Sequence, residues 1–176
     1  YLNLYDLNMM RIQIPLEKEY YITNLKEKLK LIRRIYDIAI TDEKKQTMKI
    51  IFSFLKTHAT WLIPYAVYRC LIDKNGSVLI EQWPYREANP SEEFIKRFYA
   101  KNMMDCNFYC WLQANLFNQF FSAKNHAESL NIALIGDLTI GLDLCSVEVW
   151  DNSYDFHKNL SLGSPPDLFC ENGQNW

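Results

Sequence analysis

The chain has 176 residues, 49% of them hydrophobic and 23% charged, with 5 glycines and 6 prolines, the composition of one ordinary globular domain rather than a low-complexity chain. A formal net charge of −2 gives no electrostatic reason to expect nucleic acid or an anionic membrane as a partner. No apolar run reaches the roughly 18 residues of a membrane span, and no signal-peptide pattern opens the chain at Tyr1.

Residues 1–15 are apolar and irregular, with a short strand expected around Arg11 to Ile14 and a stop at Pro15. From Leu16 the pattern is helical, with Leu25, Leu29, Ile32, Tyr36 and Ala39 at intervals of three and four. The basic residues between Lys26 and Arg34 alternate with these apolar positions and read as a solvated helix face. Thr41-Asp42 offers an N-cap for a second helix, with Met48, Ile51, Phe52 and Leu55 on its apolar side. In Trp61 to Gly76 a proline stands in position to open a further helix, which Lys74-Asn75-Gly76 ends. EQWPYREANP reads as loop, and Asn89-Pro90-Ser91-Glu92-Glu93 as a helix start. The helix that follows is expected to break near Asn102 and to bury Phe108, Trp111, Leu112, Leu116 and Phe120 on one face.

After that helix the period changes. Asn131 to Asp137 is a short continuous apolar run ending in Gly-Asp, which suits a strand buried on both faces in a parallel sheet. A carboxylate at the C-terminal tip of such a strand is where barrel enzymes keep working groups. The segment beyond it closes on GSPPDLFCENGQNW, in which Pro165-Pro166 is a stiff corner between two flexible glycines, Gly163 and Gly173. That frame holds Asp167, Gln174, Phe169 and Trp176: hydrogen-bonding groups beside large aromatic faces.

Five cysteines (Cys70, Cys106, Cys110, Cys145, Cys170) do not make a paired disulfide framework and point to a reducing, cytoplasmic compartment. Cys106 and Cys110 are one helical turn apart, but no second pair and no nearby histidine completes a metal site, so no metal is expected. His58, His126 and His157 are scattered and have no local catalytic partner.

Three stretches carry a resemblance: Gly136-Asp137-Leu138-Thr139-Ile140-Gly141, Ser146-Val147-Glu148-Val149-Trp150, and Gly163 to Phe169 with Gly173-Gln174-Asn175-Trp176. Together with Trp61-Leu62-Ile63-Pro64-Tyr65-Ala66 upstream, they resemble the 4-α-glucanotransferases (amylomaltases, disproportionating enzymes; glycoside hydrolase family 77) over nearly the whole chain. The ending is more similar to the cytosolic plant and bacterial subgroup that handles maltose and branched glucans. The resemblance implies an α/β fold, part of a (β/α)8 TIM barrel with helical insertions. Residues 1–176 would form one partial catalytic region: 1–130 mainly helical, 131–140 a barrel strand, 141–176 an extended loop over the glucan groove.

The implied function is transfer of a segment of an α-1,4-glucan to the 4-hydroxyl of an acceptor sugar, by a retaining mechanism that uses a carboxylate nucleophile and an acid/base about 5–5.5 Å apart. By resemblance those carboxylates lie beyond Trp176, so no catalytic residue is expected in this chain. The substrate-binding residues implied are Asp137, Asp167, Phe169, Gln174 and Trp176, with α-1,4-glucan or maltooligosaccharide as partner and no cofactor. The alternative, of a different class, is a short product that binds α-glucan or a partner without catalysis. Thr139 stands where the family carries proline. Leu144 stands where the subgroup carries arginine, which removes a fixed cation with up to five donors.

Overall fold

The computed structural model describes residues 21–139 and 141–175. The strand expected at Arg11 to Ile14, the helix start at Leu16, the Leu25 side chain and Trp176 lie outside the described residues. Among the described residues six α-helices follow one another: α1 (Tyr21–Asp42), α2 (Lys44–Asn75), α3 (Tyr85–Ala88), α4 (Glu92–Lys101), α5 (Met103–Ser129) and α6 (Val147–Asp151). Two short strands, β1 (Gly163–Ser164) and β2 (Gln174–Asn175), form the sheet among the described residues.

The two long helices α2 and α5 lie against each other, and α1, α4 and α6 pack on α2. Their shared core holds Tyr36, Leu62, Val67, Leu71, Phe108 and Trp111. Aromatic edges lock it, with the Tyr36 ring 5.5 Å from Phe108 and 5.4 Å from Trp111. No helix among the described residues is long and apolar enough to cross a membrane.

Several expected boundaries hold. Gly76 takes the left-handed conformation (φ 66°) and its N–H donates to Ile72 O, closing α2. Ser91 caps α4, its Oγ accepting the Phe94 N–H at 3.1 Å. The break falls at Asn102, whose Nδ2 donates to Phe98 O. Phe108, Trp111 and Leu112 are buried as the spacing requires, whereas Phe120 is exposed.

Other boundaries move. Thr41 and Asp42 belong to the last turn of α1, where Thr41 Oγ1 donates to Asp37 O rather than capping α2. Pro64 opens no helix. It lies inside the 32-residue α2. An internal proline costs about 3 kcal/mol, but Leu62, Ala66 and Val67 beside it are fully buried, and packing of that face outweighs local propensity. The loop EQWPYREANP contains a short turn of helix, α3, and its Trp83 is buried with Nε1 donating to Ser77 O at 2.9 Å.

The largest departure is at 131–139. Residues 131–139 are exposed and have no ladder partner among the described residues, so the strand expected at 131–140 is not formed there. A parallel strand exists only through hydrogen-bonded neighbours, and the described residues offer none. Asn131 (φ 59°) marks the exit from α5 into it.

The buried thiols also pair differently from the sequence spacing. Cys106 faces Cys70 of α2 at 3.7 Å between sulfurs, and that contact, then burial, pushes the Cys106 pKa up. Burial pushes the Cys110 thiol up to about 12. All five cysteines are free, and among the described residues no group of three metal-ligating side chains comes together.

Candidate functional site

The segment between α5 and the hairpin is pinned to the helical layer by the motif around Trp150. Asp143 Oδ1 accepts the Cys145 N–H at 2.7 Å, and Ser146 Oγ accepts that of Val149 at 3.4 Å, which starts α6. Val149 and Trp150 are then driven into the core, and Trp150 Nε1 donates to Glu87 O at 2.7 Å. The Tyr68 hydroxyl donates to Cys145 O, and the Tyr68 ring stands 5.3 Å from Trp150. Burial raises the Tyr68 hydroxyl to about 12, so it remains a donor at any physiological pH. Sequence reading took Ser146 to Trp150 only as a family marker. Its physical work is anchoring, and the signal available was a cap residue followed by Val-x-Val-Trp.

From that anchor the chain reaches the hairpin. β1 and β2 pair antiparallel, Gly163 opposite Asn175 and Ser164 opposite Gln174. Residues 165–173 form the loop between them. The Pro165-Pro166 corner fixes φ on one side. On the other, Gly173 has φ 70° and lies so close to Ser164 O that a β-carbon would meet it at 2.7 Å. The loop is closed internally: Asp167 N–H and Gly173 N–H both donate to Cys170 O, each at 3.1 Å. Cys170 Sγ donates to Gly173 O at 2.9 Å, and Ser161 Oγ to Asn175 Oδ1 across the base.

Asp167 and Phe169 meet in this loop. Asp167 Oδ1 accepts the N–H of Phe169 at 2.8 Å and of Cys170 at 2.7 Å, leaving Oδ2 without a partner among the described residues. The turn so formed holds Phe169 98% exposed, its ring free of any protein surface. Gln174 lies in β2, immediately after the Gly173 turn. Asp167, Phe169 and Gln174 are therefore brought onto one braced hairpin. Asp137 is not on it. It lies on the 131–139 segment, whereas Gly141 comes close to the residue before β1, where a β-carbon would stand 3.2 Å from Leu162 Cδ1.

An exposed ring beside a free carboxylate oxygen and an amide suits a ligand with apolar faces and hydroxyl edges. The hairpin supplies contacts of that kind.

The profile of the 4-alpha-glucanotransferase family matches residues 7–176. A 4-alpha-glucanotransferase of Oryza sativa subsp. japonica is 29% identical over 174 residues, covering 97% of this chain and 18% of that protein. One from Chlamydia caviae is 32% identical over 125 residues, 70% of this chain and 23% of that protein. Among solved structures, an amylomaltase from Streptococcus agalactiae in complex with acarbose superposes with a TM-score of 0.75 at 20% identity, covering 97% of this chain and 36% of that one. The chain thus spans about a fifth of the length of these two curated relatives. On the match over residues 7–176, the chain belongs to the 4-alpha-glucanotransferase family.

Proposed function

We propose that the protein carrying this chain is a 4-α-glucanotransferase acting on α-1,4-glucans in the cytoplasm, and that residues 131–176 form part of its glucan groove. The observation that carries the reading is the family match through the hairpin, where a fully exposed Phe169 stands on a turn held by Asp167. In the whole protein, with neighbouring strands supplied from elsewhere in it, residues 131–139 would pair as one strand of a (β/α)8 barrel, with Asp137 near its tip and Ile132 to Ile135 facing neighbouring strands and helices. Phe169 and Trp176 cover the C–H faces of glucose units, while Asp137, Asp167 and Gln174 take hydroxyls. The nucleophile and the acid/base come from outside residues 1–176, and transfer proceeds with retention through a glycosyl-enzyme intermediate. Five free thiols support the cytoplasmic assignment.

The test is disproportionation. Incubated with maltotriose alone, the protein should produce glucose together with longer maltooligosaccharides, and the number of glycosidic bonds should stay constant. Net hydrolysis, or no products, would overturn the activity. Affinity for maltooligosaccharide should fall in Asp137→Ala and in Trp176→Ala; unchanged affinity in both would overturn the site.

A further inference from the structure

Away from the hairpin, α4 meets the C-terminal end of α2 and the loop around α3 across a cleft of about 1010 Å3. Its wall on α4 is Phe94, Arg97, Phe98 and Lys101, a stripe at spacings of three and four that presents one face of the helix. Arg86 of α3 lines the same space, as do Arg33 and Lys74. The carboxylates that face it are already engaged. Glu87 takes Lys74 and Asn75, Asp105 takes Arg33 at 2.8 Å, and Asp73 accepts the Tyr109 hydroxyl.

That leaves a surplus. Arg86 and Lys101 have no carboxylate partner among the described residues, and Arg97 has only a solvent-exposed pairing with Glu93 at 3.0 Å. Arg97 and Lys101 are also four apart on α4, a like-charge placement that weakens a helix unless something relieves it. In a chain of net charge −2, five cations and three carboxylates face one cleft. Its apolar wall is equally defined, with the Phe94 and Phe98 rings 5.9 Å apart.

We propose that this cleft is a binding site for a small phosphate-bearing molecule, with Arg86 and Lys101 holding the phosphate and the Phe94–Phe98 wall covering the body of the ligand. An arginine fork and a lysine point charge suit phosphate oxygens, and bonds between ionised partners are the stronger class. The inference does not depend on the glucan reading, because none of the hairpin residues takes part.

The test is calorimetric titration of the full chain with inorganic phosphate and with glucose 6-phosphate. Both should bind saturably, glucose 6-phosphate more tightly, with affinity falling as salt rises. The double variant Arg86→Ala/Lys101→Ala should bind each at least roughly tenfold more weakly. Lys56→Ala, an exposed cation outside the cleft, should bind both unchanged. Both cleft residues are exposed, so the variant fold is checked by circular dichroism, and Arg86→Gln with Lys101→Gln replaces the pair if it is altered. No saturable binding, or equal affinity in the double variant, overturns the proposal.

Discussion

Gly163 and Gln174 approach so closely that a β-carbon on the glycine would stand 2.1 Å from the Gln174 carbonyl oxygen. The two-strand pairing therefore exists only because position 163 has no side chain. Gly163→Ala should force the strands apart at a local cost of about 1–3 kcal/mol, typical of overpacking. Because the hairpin is exposed, that cost should appear as local opening rather than global unfolding. Amide hydrogen exchange at Gln174 and Asn175 should accelerate while the melting temperature scarcely moves. Slow exchange in the variant would show that the pairing tolerates a side chain.

In the proposed site Asp167 has two roles, which one pair of substitutions separates. Its Oδ1 holds the Phe169 and Cys170 amides, and its Oδ2 is available to a ligand. Asp167→Asn keeps an oxygen for the two amides, while Asp167→Ala keeps none. Exchange at Phe169 and Cys170 should quicken in the alanine variant only. Maltooligosaccharide affinity should fall severalfold in both, since the asparagine loses the charge that strengthens a hydroxyl contact. Full affinity in the asparagine variant would leave Asp167 with the loop alone.

The sequence showed the helices better than their ends. Strong periodicity placed α4 and α5 and the break at Asn102, and local chemistry marked Gly76 and Ser91 as caps. Pro64 and Thr41-Asp42 misled because propensity is local, whereas α2 continues on the strength of its buried face against α5. The hairpin chemistry was legible in Pro-Pro-Asp and in the flanking glycines. The bracing was not, since no spacing reveals that Trp150 Nε1 reaches Glu87 O, 63 positions earlier in the chain. The Cys70–Cys106 contact was hidden for the same reason: it is made by packing two helices, not by one helix turn.

Trp150 carries that long-range connection. Trp150→Phe retains most of the ring volume but strands the Glu87 carbonyl in a buried place, a loss of about 1–3 kcal/mol. Trp150→Ala adds a cavity and should lose about 3–5 kcal/mol. Urea unfolding of both variants gives the comparison. If phenylalanine costs as much as alanine, the hydrogen bond rather than the packing dominates; if it costs nothing, the bond is energetically idle.

Glu87 should give the chain an acid-sensitive step. Burial alone would raise its pKa, but the hydrogen bonds from Lys74 and Asn75 outweigh it and the net shift is downward. A lowered folded-state pKa means the stabilisation is fully present above the unfolded value of about 4.3 and is lost as pH falls through the lower folded value. Wild type should therefore lose stability on acidification below that point more steeply than Glu87→Gln. Lys74 is about half exposed, so its share is screened by solvent, and Lys74→Ala should flatten the limb only in part. Parallel acid limbs in wild type and Glu87→Gln would assign the sensitivity elsewhere.

The segment after α5 sets the association behaviour of residues 1–176. Ile135 is 95% exposed and Leu138 84%, on a backbone whose N–H and C=O groups have no ladder partner among the described residues. An apolar, unpaired stretch of this length is a template for pairing with another chain, and a charge is the usual protection. The chain 1–176 should accordingly self-associate in a concentration-dependent way, and Ile135→Lys should shift it toward monomer without changing helix content. Substitution on the helical layer, such as Phe52→Lys at another exposed apolar position, should leave association as it was. Sedimentation velocity over a range of concentrations distinguishes these cases. A monomer at all concentrations would mean that the segment finds its own cover within the chain, and the case for a strand awaiting neighbours would fall with it.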